Sequence, residues 1–232
     1  MMLFEERQNV LPHPRNWSDP LENFILNAKV KGTDGKLRDF AFRDGVYGQC
    51  WTVERRSDAL WQLFCPMKLR KAQGVRIRTT LRKLGATFSR NLSHDHRRQA
   101  FIGKVEYLSD KGLFGRARCI FMDEVDPEKI ARSLLMKRNA FRHEAEVRLV
   151  YRMISGQPSG DGLFRYAVDP HALVDQVMID PRFQPAEQSE LKHKIREQTG
   201  VSRKTSVLAA LCEAQGLFYM SVLATTFAKY MI

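Results

Sequence analysis

Cysteine is scarce and never paired in this chain. Cys50, Cys65, Cys119 and Cys212 stand far apart with no CxxC spacing, which argues against both a zinc site and a disulfide framework. No secretory signal opens the sequence, so reduced thiols and a cytoplasmic location are expected. Internal repeats and low-complexity segments are absent. No apolar run reaches the roughly 20 residues that a spanning helix requires. The nearest approach, Gly216 to Ile232, is interrupted by Lys229. A membrane partner is therefore not expected, and residues 209–232 read as a hydrophobic helix that docks or self-associates, which would supply a protein partner or a homo-oligomer. Gly112, Gly115, Gly156, Gly160 and Gly162 do not form a phosphate loop; they read as turns.

What is present suits a globular protein. A hydrophobic content of 44% and a charged content of 28% over 232 residues allow a full core. Residues 1–208 are expected to form one α+β domain, with a mixed, mostly antiparallel sheet flanked by helices. The formal net charge is +12. An excess of this size attracts polyanions, nucleic acid first, by long-range forces that salt weakens. Arg76, Arg78, Arg82, Lys83, Arg97 and Arg98 are the candidate nucleic-acid contacts. A merely soluble basic surface is the competing reading.

Local signals give an outline of the elements. Asp19-Pro20 is expected to cap and open a helix through Leu21, Phe24 and Ile25. Tyr47 to Val53 reads as a strand, and Ser57 as the cap of a helix carrying Leu60 and Trp61. Gly74 to Thr79 alternates apolar and basic residues, the pattern of a half-buried strand. Phe101 to Leu108 reads as another strand. Asp126-Pro127-Glu128 opens a helix expected to run to about Asn139, with Ile130, Leu134 and Leu135 inward. Ser155 to Gly162 is a turn, Leu163 to Val168 a strand, Asp175 to Asp180 a short buried strand, and Pro185 to Gly200 a helix closed by its glycine.

The most informative segment runs from Phe141 to Tyr151. On a strand, Ala145, Val147 and Leu149 face one way while Glu144, Glu146 and Arg148 face the other. Same-face neighbours lie roughly 6 to 7 Å apart, so the three charges would perturb one another and meet a single polar ligand. A solvated face laced with a salt bridge is the plain reading, and a site is the sharper one.

Several segments in order carry a family resemblance: Asn16-Trp17-Ser18-Asp19-Pro20-Leu21-Glu22-Asn23, Cys50-Trp51-Thr52, Ser57-Asp58-Ala59-Leu60-Trp61, Gly74-Val75-Arg76-Ile77, and Phe141 to Val150. Over residues 3 to 205 the chain resembles the bacterial family called domain of unknown function 2971. In the order of its parts it is more distantly similar to DNA-modifying ADP-ribosyltransferase toxins, whose late strand reads Ala-Glu followed by apolar residues, here Ala145 to Val150. That likeness implies an NAD-using enzyme acting on nucleic acid or protein, as a toxin or phage-defence effector. It implies Glu146 as the catalytic carboxylate that holds the nicotinamide ribose, Glu144 as its polar neighbour, and Arg148 as an orienting or phosphate-binding group. Arg15 would meet the cofactor pyrophosphate, and Trp51 or Trp61 would stack on a ring.

Other constellations compete with this one. A nucleic-acid-binding protein without catalysis would need only the basic surface. Asp19, Glu22, Glu144 and Glu146, with Lys137 or Lys104, would suit a magnesium-dependent nuclease. His94-Asp95-His96 invites a metal, but Arg90, Arg97 and Arg98 around it would repel one, so no metal is assigned. Cys50-Trp51-Thr52 reads best as a core strand, since Cys50 has no adjacent activating histidine.

Overall fold

The computed structural model describes residues 2–17, 19–55, 57–65, 74–122, 126–154, 156, 159–200, 205–206 and 219–223. In chain order the strands are β1 (Gln8–Pro12), β2 (Lys29–Lys31), β3 (Leu37–Asp39), β4 (Val46–Thr52), β5 (Val75–Thr80), β6 (Ala100–Lys104), β7 (Glu106–Leu108), β8 (Met136–Arg138), β9 (Glu146–Arg152), β10 (Leu163–Ala167), β11 (Gln176–Ile179), β12 (Thr205–Ser206) and β13 (Tyr219–Leu223). The helices are α1 (Met2–Glu5), α2 (Asp58–Phe64), α3 (Leu81–Arg90), α4 (His94–Arg97), α5 (Asp110–Met122), α6 (Pro127–Ser133), α7 (Pro170–Leu173) and α8 (Pro185–Thr199), with single 3-10 turns at Pro14–Asn16 and Asn139–Glu144. This is an α+β protein. Most of its strand pairs are antiparallel; β7 with β8 and β11 with β12 are parallel.

The chain forms two compact units, the first from Met1–Asn9, Trp51–Phe88 and Tyr166–Ile232, the second from Val10–Cys50 and Ser89–Arg165. In the first unit β5 lies between β11 and β13, antiparallel to both. Ser57 caps α2 by accepting from the Leu60 N–H at 3.2 Å, and Leu60 and Trp61 are turned into a small core with Cys65. Gly200 closes α8 at a φ of 66°, a left-handed conformation that glycine adopts without a Cβ clash.

In the second unit β9 lies between β4 and β6. Its core gathers Ile25, Leu26, Phe40 and Val46 with Leu113 and Ile120 of α5, Ile130 and Leu134 from α6 and its cap, and Val150 of β9. Every residue of β9 from Glu146 to Tyr151 is buried, so both faces of this strand are covered. The expectation of a solvated charged face is thereby corrected. The charges lie inside.

Four elements differ from the sequence reading. The Asp126 carboxylate caps α6 as expected, taking the Lys129 N–H at 2.8 Å, but the helix stops at Ser133. Met136–Arg138 pairs with β7 instead, so tertiary pairing overrides a run of good helix formers. Phe101 to Leu108 is broken at Val105 into β6 and β7. Asp19 accepts from the Leu21 N–H at 3.1 Å, yet residues 20–27 form turns rather than a helix, because Glu22 and Asn23 are drawn to distant partners. Of the expected C-terminal helix, residues 219–223 are described and form β13; the rest of that expectation lies outside the described residues. Among the described residues no helix is long and apolar enough to cross a membrane.

Candidate functional site

The even-numbered face of β9 begins in the apolar core at Val150 and ends in a buried cluster of charge. Arg148 is fully buried and uses all three guanidinium nitrogens. Its Nε donates to Oε2 of Glu146 at 2.6 Å, its Nη1 to the Leu134 carbonyl at 2.7 Å, and its Nη2 to the Glu22 carboxylate. The Leu134 carbonyl is available because α6 ends there, leaving its last carbonyls without helical partners. The early stop that the sequence pattern hid thus creates an anchor for the arginine.

Lys137, on β8, is the second cation. Its Nζ lies 2.6 Å from Glu144, 2.8 Å from Glu146 and 3.1 Å from Glu22, and its side chain is only 6% exposed. Glu144 does not belong to β9. It ends the Asn139–Glu144 turn, and Ala145 follows at a φ of 45°, in the left-handed region. This reversal lets Glu144 and Glu146 converge on one ammonium.

Aromatic groups close the cluster. The Arg148 guanidinium lies 4.3 Å from the Trp17 ring centre, and the Lys137 ammonium 4.7 Å from that of Phe141. Trp17 reaches this position beside Gly48 of β4, where a Cβ would stand 2.7 Å from the indole. The Glu146 N–H donates to the Tyr107 hydroxyl at 2.8 Å. Burial pushes that phenol up to about 12, so it keeps its proton.

Electrostatics divide the two glutamates. Burial, reinforced by the adjacent Glu146, drives Glu144 up to about 8, and Lys137 only partly opposes it. Burial would also raise Glu146, but Arg148, the hydrogen bond from Glu144 and Lys137 together outweigh it and hold this carboxyl far below the usual range. Lys137 is raised too: burial disfavours its charge, yet Glu146 and Glu22 more than restore it. Two cations thus face three carboxyl groups, and a proton retained on Glu144 balances the charge. The pair holds one protonated and one ionised member side by side.

The other residues singled out in the sequence lie elsewhere. Arg15 is exposed in the second unit, with its guanidinium close to Gly162. Trp51 and Trp61 are buried in the first unit, 5% and 2% exposed, which leaves almost no ring face for a ligand. Trp17 is the indole that lies against Arg148. Among the candidate nucleic-acid contacts, Arg82, Arg97 and Arg98 are exposed, Arg78 and Lys83 half-buried, and Arg76 buried, with Lys83 paired to Asp175. Arg97 and Arg98 belong to the second unit and the other four to the first.

Of the carboxylates considered for a nuclease, Glu22, Glu144 and Glu146 do converge, and Lys137 stands at their focus. Asp19 is diverted to Arg138, which it meets through two bonds of 3.0 and 3.1 Å. Among the described residues no group of three or more His, Cys, Asp or Glu is arranged to hold a metal ion. His94, Asp95 and His96 lie on the short helix α4, where the His96 ring bonds the Tyr151 hydroxyl. Cys50, Cys65 and Cys119 are free thiols, and burial pushes the Cys50 thiol strongly upward, which suits a core residue rather than a nucleophile.

No protein-family model matches the chain, and neither does any curated protein or solved structure.

Proposed function

We propose that the second unit carries an ADP-ribosyltransferase-like site that cleaves the N-glycosidic bond of NAD and transfers the ADP-ribosyl group to nucleic acid or protein. The observation that carries this reading is the convergence of Glu144 and Glu146 on the Lys137 ammonium, at 2.6 and 2.8 Å, with Arg148 on Glu146; burial favours a retained proton on Glu144 and the two cations favour the ionised form of Glu146. Breaking a glycosidic bond builds positive charge on the ribose, and an ionised carboxylate held in place stabilises that charge. Glu146 is such a group. A neighbouring carboxyl that keeps its proton near neutral pH is equipped to exchange it with the incoming nucleophile or the ribose hydroxyls, as paired carboxyl groups with divergent pKa values do elsewhere. Glu144 has that property. Arg148 acts as an orienting group, since its nitrogens are committed to Glu146, Glu22 and the Leu134 carbonyl.

Glu144 and Glu146 are 4% and 7% exposed, so substrate entry requires the Asn139–Glu144 turn to move aside. Asn139, Ala140, Arg142 and His143 on that turn are exposed, while Phe141 and Glu144 hold it to Lys137.

The test is to incubate the protein with NAD and with labelled DNA or RNA, with and without a chelator, alongside Glu146→Gln. Nicotinamide release that persists in chelator and falls at least a hundredfold in a folded Glu146→Gln protein is the expected result. Absence of nicotinamide release with every acceptor would remove the reading. Strand cleavage abolished by chelator would favour the nuclease, and salt-sensitive binding indifferent to Glu146→Gln would favour a non-catalytic nucleic-acid-binding protein.

A further inference from the structure

The antiparallel ribbon of β2 and β3, in the second unit, has both of its faces in water. Every residue of the two strands is exposed, Val30 by 43% and Leu37 by 68%. Leu26 before the ribbon and Phe40 after it are buried, so the core holds it at its base. A two-stranded hairpin with no packed face is marginal in water, and here charge ties the strands together. Lys29 pairs with Asp39 across the ladder, and Arg38 donates to the Asp34 carboxylate through two bonds of 3.0 and 2.6 Å.

These pairs occupy the acids of the ribbon, since Asp39 is met by Arg43 as well, at 3.2 Å. Among the described residues no carboxylate meets Lys31 or Lys36. Lys31 ends β2 and Lys36 precedes β3, on either side of a tip turn in which the Gly35 N–H donates to the Gly32 carbonyl at 2.9 Å. Strand alternation and register set the two lysines on opposite faces: Lys31 shares one with its partner Leu37, and Lys36 shares the other with Val30 and Arg38. Each face near the tip thus presents one unneutralised ammonium and one exposed apolar side chain.

Ammonium groups of this kind suit phosphate oxygens, and apolar side chains between them suit base edges and thymine methyl groups. The major groove of B-DNA, about 12 Å wide, admits a two-stranded ribbon, whereas that of an RNA duplex is too deep and narrow for side chains to read. A ribbon entering tip-first turns one face to each phosphate wall. We infer that the β2–β3 ribbon is a docking arm for duplex DNA, with Lys31 and Lys36 on the phosphates and Val30 and Leu37 toward the bases. The arm does not depend on the NAD chemistry at Glu146: nicotinamide release reads one and duplex binding the other, and either can fail alone.

The test titrates the full chain against a fluorescent DNA duplex of about 20 base pairs, two helical turns, and follows anisotropy as salt is raised. The double variant Lys31→Gln/Lys36→Gln is expected to weaken binding by about tenfold or more and to reduce the slope of log affinity against log salt by about 1 for each lysine. Both side chains are exposed, so the variant should keep the wild-type Tm. Lys111→Gln/Arg118→Gln removes the same charge from exposed positions on α5 and should bind nearly as the wild type does. No salt-sensitive binding of duplex DNA, equal weakening in the two double variants, or equal binding of an RNA duplex of the same sequence overturns the inference. So does a dimer in sedimentation that the Lys31→Gln/Lys36→Gln variant dissolves, which would assign the ribbon to a second copy of the chain.

Discussion

Arg148 donates its Nε–H to Oε2 of Glu146 over 2.6 Å from a side chain with no exposed surface. A buried cation with this many acidic neighbours is valuable less for the bond itself than for what its removal would leave behind. Arg148→Met strands Glu22 and Glu146 in the interior, and losing one partner of a buried ion pair costs about 3 to 5 kcal/mol. Urea denaturation at neutral pH is the measurement. Adding Glu22→Gln and Glu146→Gln to the same protein is expected to recover part of the loss, because no uncompensated charge remains. A cost below about 1 kcal/mol would mean that the cluster is open to water.

The divided protonation of the glutamates has a sign that stability measurements can read. Glu144 titrates higher in the folded protein than in the unfolded chain, so its contribution is complete below the unfolded value and is lost as pH rises through about 8. Glu146 behaves oppositely, contributing above the unfolded value and losing that contribution in acid. Between pH 5 and 8, wild-type stability should therefore fall relative to Glu144→Gln, by up to about 1.4 kcal/mol per pH unit. Parallel denaturation curves for the two proteins across that range would contradict the assignment of the retained proton.

Gly48 is expected to be intolerant of any side chain. A Cβ there would stand 2.7 Å from Cζ2 of Trp17, an atom of a rigid ring already stacked on Arg148. Gly48→Ala must push the indole away, at a cost of roughly 1 to 3 kcal/mol for an overpacked interior. The displacement also removes the cation–π contact. Trp17 fluorescence reports it directly: a red shift in the folded variant is expected, accompanied by lower stability in urea.

Much of the local structure was legible in the sequence, and the site only in part. Ser57 before α2, Asp126 before α6 and Gly200 after α8 are short-range signals whose physics acts within a few residues, and the structure has each of them; Val75–Thr80 is the expected strand, but with Arg76 buried as well as Ile77 it is not the half-buried one that its alternation suggested. Glu146 and Arg148 could be placed on one face because strand alternation is equally local. What joins them to Glu22 is a contact between residues 126 positions apart, which no periodicity announces. Lys137 was named in the sequence beside these carboxylates, as an alternative to Lys104, but its place on a strand was hidden for a different reason. Met136, Lys137 and Arg138 suit a helix, and only parallel pairing with β7 makes them a strand. Trp17, rather than Trp51 or Trp61, lies against Arg148, and the glycine that admits it, Gly48 within an expected strand, was the one sequence mark of that close approach.

Ala145 is where the turn and the strand meet, and its backbone carries the strain of that junction. At a φ of 45° an L-residue brings its Cβ close to the following carbonyl oxygen, costing about 1 to 2 kcal/mol. Glycine has no Cβ to crowd, but it loses more entropy on folding, which offsets part of the gain. Ala145→Gly is therefore expected to stabilise the protein by roughly 0.5 to 1 kcal/mol, whereas Ala145→Val, with its branched Cβ, should destabilise it by more than that. If the left-handed reversal is what brings Glu144 and Glu146 to one ammonium, Ala145→Val should also lower the Glu144 pKa towards that of an ordinary carboxyl. Carbon-13 NMR titration of labelled glutamate side chains would detect the change, and a valine variant that kept both its stability and its high-pKa carboxyl would break the link between this dihedral and the paired acids.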